Sequence, residues 1–234
     1  MEETQIKRLA GEDKRIPLPQ EAAYAVAIVV MTLGVAMMQK ADFGLSMVVA
    51  PAYMLSEFFG ISFGMAEYSL QFVLVGVMCL LIRRFHFSYY LSFATAVIYG
   101  FVLDGFIALL QAQTPAETLW ARVLLMLAGM VFSSFGVALF FRTYLPACAY
   151  DMFVKVVSER FSISIAKFKI GYDLTSLVVS ILFTFLFFGK LKGIGVGTLI
   201  CALVNGMIIN GFSNLFARRF RFPVWFSRAE DFLK

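Results

Sequence analysis

Histidine is nearly missing from this chain: His86 is the single one among 234 residues. One imidazole cannot build a multi-histidine metal centre, and it leaves a Ser-His-Asp triad almost no material. Cysteine is scarce as well. Cys79, Cys148 and Cys201 stand far apart, and none belongs to a CxxC pair. They read as small hydrophobes, not as a disulfide framework or zinc ligands. Charge is thin, at 15% of residues against about a quarter in soluble domains. Strand-type alternation broken by turn signals is absent, which argues against a membrane β-barrel. From these gaps we expect no metal, no cofactor and no enzyme activity.

What fills the chain instead is apolar: 61% hydrophobic residues, with 27 Phe and 12 Met. A soluble domain of this length cannot hide so much apolar surface in one core. A lipid bilayer as the outer solvent removes the difficulty. The net charge of +5 then reads as bases at helix ends, and no nucleic-acid partner is expected. Residues 1–21 mix acids with bases (Glu2, Glu3, Lys7, Arg8, Glu12, Asp13), which is unlike a cleavable leader.

A helix needs about 20 apolar residues to cross the hydrocarbon layer. Six runs qualify: Ala22–Met38, Gly64–Ile82, Tyr89–Leu110, Ala121–Phe141, Ile170–Gly189 and Val196–Phe216. Two further segments, Leu45–Phe59 and Ala147–Phe161, are too short and too polar to cross. They are re-entrant half-helices or helices lying in the interface. The predicted fold class is an all-α polytopic membrane helix bundle. With the N-terminus in the cytoplasm, sixteen of the 20 Lys and Arg residues fall inside, and Lys40, Arg122, Lys190 and Lys192 fall outside. That imbalance fixes the orientation, with both termini cytoplasmic.

An internal repeat appears when the chain is shifted by 102 positions. Gly34-Val35-Ala36 meets Gly136-Val137-Ala138, and Lys40 meets Arg142. Ser56-Glu57 and Ile61-Ser62 meet Ser158-Glu159 and Ile163-Ser164, and Gln71 meets Asp173. With four residues inserted in the second copy, Gly100 through Phe106 meets Gly206 through Phe212, so that Asp104 meets Asn210. The chain therefore divides into a tail at 1–21, a first three-helix repeat at 22–112, a second at 113–216 and a tail at 217–234. Three spans per repeat force the second copy to enter from the opposite side. Such inverted repeats place substrate sites at their interface, near discontinuous helices.

Polar groups inside lipid are costly, so they are the candidate site residues. Asp104 and Asn210 line a central cavity or bond the two halves together. Gln71 and Asp173 form a second mirrored pair, with Asp173 alternatively a simple helix N-terminal acid. In Lys40-Ala41-Asp42-Phe43-Gly44-Leu45-Ser46 and in Arg142 through Cys148, a base ends a span, Gly44 or Pro146 breaks the chain, and a new helix starts. Ser46 and the free N–H groups there suit an anion, or else form an ordinary cap beside a snorkelling base. Asp151, Lys155 and Glu159 mark a solvated face, from which Asp151 alternatively turns into the cavity. Gly193 through Thr198 is not a phosphate loop: no strand precedes it and no GK[ST] follows.

The Ala41–Ser46 turn, the Leu145–Asp151 segment and the Gly-rich Gly193–Thr198 stretch resemble the YczE/YyaS/YitT group of bacterial integral membrane proteins. The likeness covers residues 22 to 216. It implies a bacterial cytoplasmic membrane and carries over no catalytic residue. The expectation is a small transporter or permease for an unidentified small molecule or ion, with its site between inverted repeats. The alternative is a substrate-capture subunit or scaffold. Partners expected are the lipid bilayer and a second copy or another membrane subunit, for which Ala22, Ala23, Ala25 and Ala27 offer a small-residue face.

Overall fold

The computed structural model describes residues 15–82, 87–112, 118–146, 148–189 and 193–225. His86, Arg83, Arg84, Gln113, Ala147, Lys190, Lys192 and the bases of the outermost tails lie outside the described residues.

Eight helices are present among the described residues: α1 (Gln20–Ala41), α2 (Ala50–Phe59), α3 (Phe63–Ile82), α4 (Phe87–Gln111), α5 (Leu119–Phe140), α6 (Ala149–Arg160), α7 (Ile165–Phe188) and α8 (Val196–Arg219). Six of them, all but α2 and α6, are long and apolar enough to cross a membrane. This is the expected all-α polytopic bundle, and each span matches its predicted run to within a few residues. The chain breaks where local chemistry dictates. Pro19 caps the start of α1, and Asp42 closes its end in the left-handed region at φ 52°. Pro51 opens α2.

A two-residue parallel pairing of β1 (Ile16–Pro17) with β2 (Phe220–Arg221) was not foreseen. It extends through Leu18 N–H to the Arg221 carbonyl at 2.8 Å and Gln20 N–H to the Pro223 carbonyl at 3.0 Å. The segments flanking the first and last spans therefore meet on one face, as an even number of crossings demands. We call this the terminal face.

At the centre, α1 packs along α5, the first helix of each predicted repeat. A Cβ on Gly34 would run into the backbone of Gly129 and Ser133; one on Gly136 would run into Ala27 and Met31. These contacts are the same contact, exchanged by the 102-residue shift. Arg122, at the start of α5, holds the turn after α1 through the Ala41 and Asp42 carbonyls at 2.8 and 3.0 Å. Its counterpart Gln20, at the start of α1, holds the turn after α5 by accepting from the Tyr144 N–H at 2.7 Å. The remaining packing crosses over: α2 of the first half lies on α7, and α6 of the second half lies on α3. Ala23 and Ala27 are fully buried by the chain's own residues, so that part of the alanine face is already covered.

The short helix α6 is re-entrant. Its first residue donates from the Ala149 N–H to Gln71 Oε1 at 2.9 Å, and Gln71 lies near the middle of α3. The Pro146 carbonyl accepts from Thr95 Oγ at 3.2 Å, two turns into α4. The Thr95 hydroxyl also bonds Tyr24. The other end of α6 returns toward the terminal face, where Glu159 comes near Tyr89 at the start of α4.

The glycine contact makes a testable distinction. Gly34→Ala and Gly136→Ala should each destabilise the protein by about 1–3 kcal/mol through backbone overpacking. Gly206→Ala, where a Cβ meets nothing within 4 Å, should leave it unchanged. Thermal unfolding in detergent measures the difference.

Candidate functional site

Many polar groups of the spans gather in three places. The first is a cavity of about 320 Å³ on the face opposite the termini, lined by Gln39, Tyr53, Glu57, Ser62, Phe63, Asp104 and Gln111 among others. Asp104 holds its wall together. Its carboxylate accepts from Ser62 Oγ at 2.5 Å and from the Gly64 N–H at 2.7 Å, and Ser62 Oγ in turn accepts from the Met65 N–H at 3.1 Å. A carboxylate on the free N–H groups of α3 stabilises that helix end. It also fastens α4 to α3 where the Gly64 and Gly100 backbones touch. Tyr53 meets Phe63 edge-on, ring centroids 5.4 Å apart, and the two close the cavity floor. Burial, with the nearby Glu57 and Asp42 charges, pushes the Tyr53 hydroxyl up to about 12, so it remains a neutral donor.

The second place lies one helical turn below Phe63. Glu67 is 1% exposed and Gln71 is 0% exposed. Gln71 Nε2 lies 3.5 Å from Glu67 Oε1, while Glu67 Oε2 has no hydrogen-bond partner among the described residues. The buried Tyr150 hydroxyl lies against this carboxyl, near enough to donate to it, and the buried Tyr99 hydroxyl sits within its electrostatic reach. Cys148 is beside them. Burial drives its thiol well above the ordinary cysteine range, with the Asp151 charge adding to the effect. It is thus a protonated, weakly reactive thiol.

The third place is on the terminal side, where Lys169 pairs with Asp151 at 3.6 Å and with Asp173 at 4.0 Å. Lys169 and Asp173 are the repeat counterparts of Glu67 and Gln71. They are only partly covered, with side-chain exposures of 42% and 28%. Tyr172 stands between the two places, 6.5 Å from Tyr150 ring to ring.

Of the residues singled out in the sequence, Gln71, Asp104, Asp151 and Asp173 lie in these three places. Lys40 and Arg142 play matched parts elsewhere. Lys40 Nζ donates to the Leu110 carbonyl at 2.5 Å. Arg142 donates to the Ser213 carbonyl at 2.8 Å and to Ser213 Oγ at 3.0 Å. Each base closes the first span of its repeat onto the third. Gly44, at φ +116°, has no room for a Cβ beside Thr198 and Gly195. The Ser46 carbonyl accepts from Val49 and Ala50 N–H groups at the approach to α2, and Pro146 is buried. Asn210 faces outward on α8 and is exposed, apart from these places. Glu67 is not among the candidates that the sequence singles out. Its signal was available: a carboxylate within the Gly64–Ile82 run, four positions before Gln71.

The two halves are not in the same state. In the first, α3 packs along α4 and the Asp104 clamp is made. In the second, α7 and α8 do not pack along each other. Asn210 stands where Asp104 does, and Ser164, the counterpart of Ser62, caps α7 without a side-chain hydrogen bond. Gly206, counterpart of Gly100, faces open space.

Over residues 18–214 the chain matches a family of unknown function, DUF6198, and it belongs to that family. Neither the curated proteins nor the solved structures compared with it contain a match.

Two outcomes check this geometry. Asp104→Ala should cost about 1–2 kcal/mol, the size of a lost helix cap, read as a lower thermal midpoint in detergent. Cys148 should resist thiol reagents in the folded protein and react only after unfolding; rapid labelling of the native state would show that its site is open.

Proposed function

We propose that the protein is a small secondary carrier, not an enzyme, that moves a small molecule or ion along the path between its inverted repeats. The observation that supports this most is the unequal state of one repeated clamp: made by Asp104, Ser62 and Gly64 in the first half, unmade around Asn210 and Ser164 in the second. Two packings of the same plan within one chain are what alternating access exchanges. In the present state the α3–α4 side is shut and the α7–α8 side is open. In the opposite state the second clamp would close and the first would release. Such rocking needs the two arrangements to differ by only a few kcal/mol. A clamp built from two hydrogen bonds to a partly covered carboxylate is of that order.

The likeness to the YczE/YyaS/YitT group supports a bacterial cytoplasmic membrane. The excess of bases on the terminal face, including Arg142, Lys155, Arg160, Lys167, Arg218 and Arg219, supports placing that face in the cytoplasm. The α7–α8 opening would then look inward.

A second reading has its own support. The exposed Gly206, Asn210 and Gly211 on α8 form a small polar surface, and an amide facing lipid has unmet hydrogen-bonding demand. A second copy or another membrane subunit covering α8 would satisfy it, as a capture subunit or scaffold requires.

Flux in reconstituted liposomes tests the first reading with a broad panel of ions, organic acids and amines. At least one member should move, and Asp104→Asn, which weakens the first clamp, should slow it by roughly tenfold. No movement of any member, or co-purification with ATPase subunits, would favour the second. For that reading, a single cysteine in place of Asn210 should form an intermolecular disulfide under mild oxidation; the carrier reading does not require α8 to be covered.

A further inference from the structure

A carboxyl sealed from water inside a helix bundle has three ways to exist: paired with a base, holding a metal cation, or protonated. The surroundings of Glu67 select among them. On its own helix it meets Gln71, an amide. From α4 it faces Tyr99. From α6 and the residue that caps it, it faces Tyr150 and Cys148, and from α7 it faces Tyr172. All are neutral groups. Lys169 is held by Asp151 and Asp173. Among the described residues no three His, Cys, Asp or Glu side chains converge to hold a metal. The Gln71 carbonyl oxygen, which would otherwise help to ligate a cation, is occupied by the Ala149 N–H. Glu67 also sits between the cavity beyond Phe63 and the partly exposed Asp151–Lys169–Asp173 cluster beyond Tyr172.

We infer that Glu67 is the proton-binding site that couples transport to a proton gradient, carrying its proton in the present state, in which α3 is shut onto α4. The inference rests on the carrier reading and names its coupling ion. Glu67 would take the proton from water in the cavity when the Tyr53–Phe63 pair parts. It would return the proton on the terminal side by way of Tyr172 and the Asp151–Lys169–Asp173 cluster while α3 stays packed on α4. Binding converts the carboxylate to the acid and removes the charge that opposes closure, so the closed packing and the proton favour one another. Gln71 holds the α6 N-terminus in place one turn away. The positive end of that helix then lowers the cost of the charged form while the site is open.

Infrared difference spectroscopy of the purified full-length protein in lipid tests this. The wild type should show a protonated-carboxyl band at neutral pH that is lost in Glu67→Gln and retained in Asp173→Asn. Should Glu67→Gln fail to fold, Tyr150→Phe, which removes the hydroxyl beside the acid, should shift the same band without abolishing it. In heavy water the band should move as the proton exchanges. A missing band, a band insensitive to both variants, or one that appears only when sodium is withdrawn overturns the proton site. A band that never exchanges marks a locked structural acid and overturns the coupling role. The liposome assay separates the two readings. Solute flux without the band removes the proton site alone. The band without flux removes the carrier reading and the coupling with it, while leaving the acid protonated.

Discussion

Gly34 and Gly136 bring the backbones of α1 and α5 into contact, and the bundle is arranged around that seam. Lipid tails are as apolar as the side chains they surround, so apolar burial gives spanning helices little reason to associate. Close approach, dispersion and hydrogen bonding must do it. The seam provides the first two, and it is self-related: Gly34 against Gly129 and Ser133 repeats as Gly136 against Ala27 and Met31. A contact that maps onto itself under the repeat shift defines a two-fold axis. Helices that cross over from one half to the other, α2 onto α7 and α6 onto α3, then follow.

Hydrogen-bonding demand explains the rest of the design. Each break in a span exposes backbone groups that lipid cannot satisfy. The chain answers with side chains from other elements: Gln71 for α6, Asp104 for α3, Arg122 and Gln20 for the two turns, and Lys40 and Arg142, from the ends of the first spans, for carbonyls of α4 and α8. Residues that look like ligand sites in a sequence are therefore shared between holding the fold and lining the path. Glu67 differs. It holds no helix end and pairs with no base, and it is the most thoroughly buried carboxyl on the path. Structural need does not account for it, which is why it bears the coupling inference.

The sequence carried the spans clearly, because apolar length is a coarse property that survives small errors at the ends. It suggested the repeat as well, since Ser56-Glu57 against Ser158-Glu159 and Gln71 against Asp173 are polar coincidences that composition does not readily produce, and the mirrored Gly34 and Gly136 contacts agree with it. Depth was harder to read. Whether α6 lies in the interface or turns back inside depends on the Gln71 and Thr95 contacts, which join residues far apart in the chain. The partners of Lys40 and Arg142 were hidden for the same reason: a base ending a span looks the same whether it snorkels or bonds a neighbouring carbonyl. Asn210 was taken with Asp104 because the repeat equates them, and the repeat is blind to two halves resting in different packings. Glu67 lay inside a run judged by its average hydropathy, where one carboxylate among many apolar residues scarcely registers.

Glu57 and Glu159 occupy equivalent positions on α2 and α6, and both are exposed. Replaced singly by cysteine in a background without other cysteines, and probed in sealed vesicles with a thiol reagent that cannot cross the bilayer, they report on opposite ends of the two-fold axis. Glu57→Cys should react from one side of the membrane and Glu159→Cys from the other. Reaction of both from the same side would contradict the inverted arrangement and every mechanism built on it.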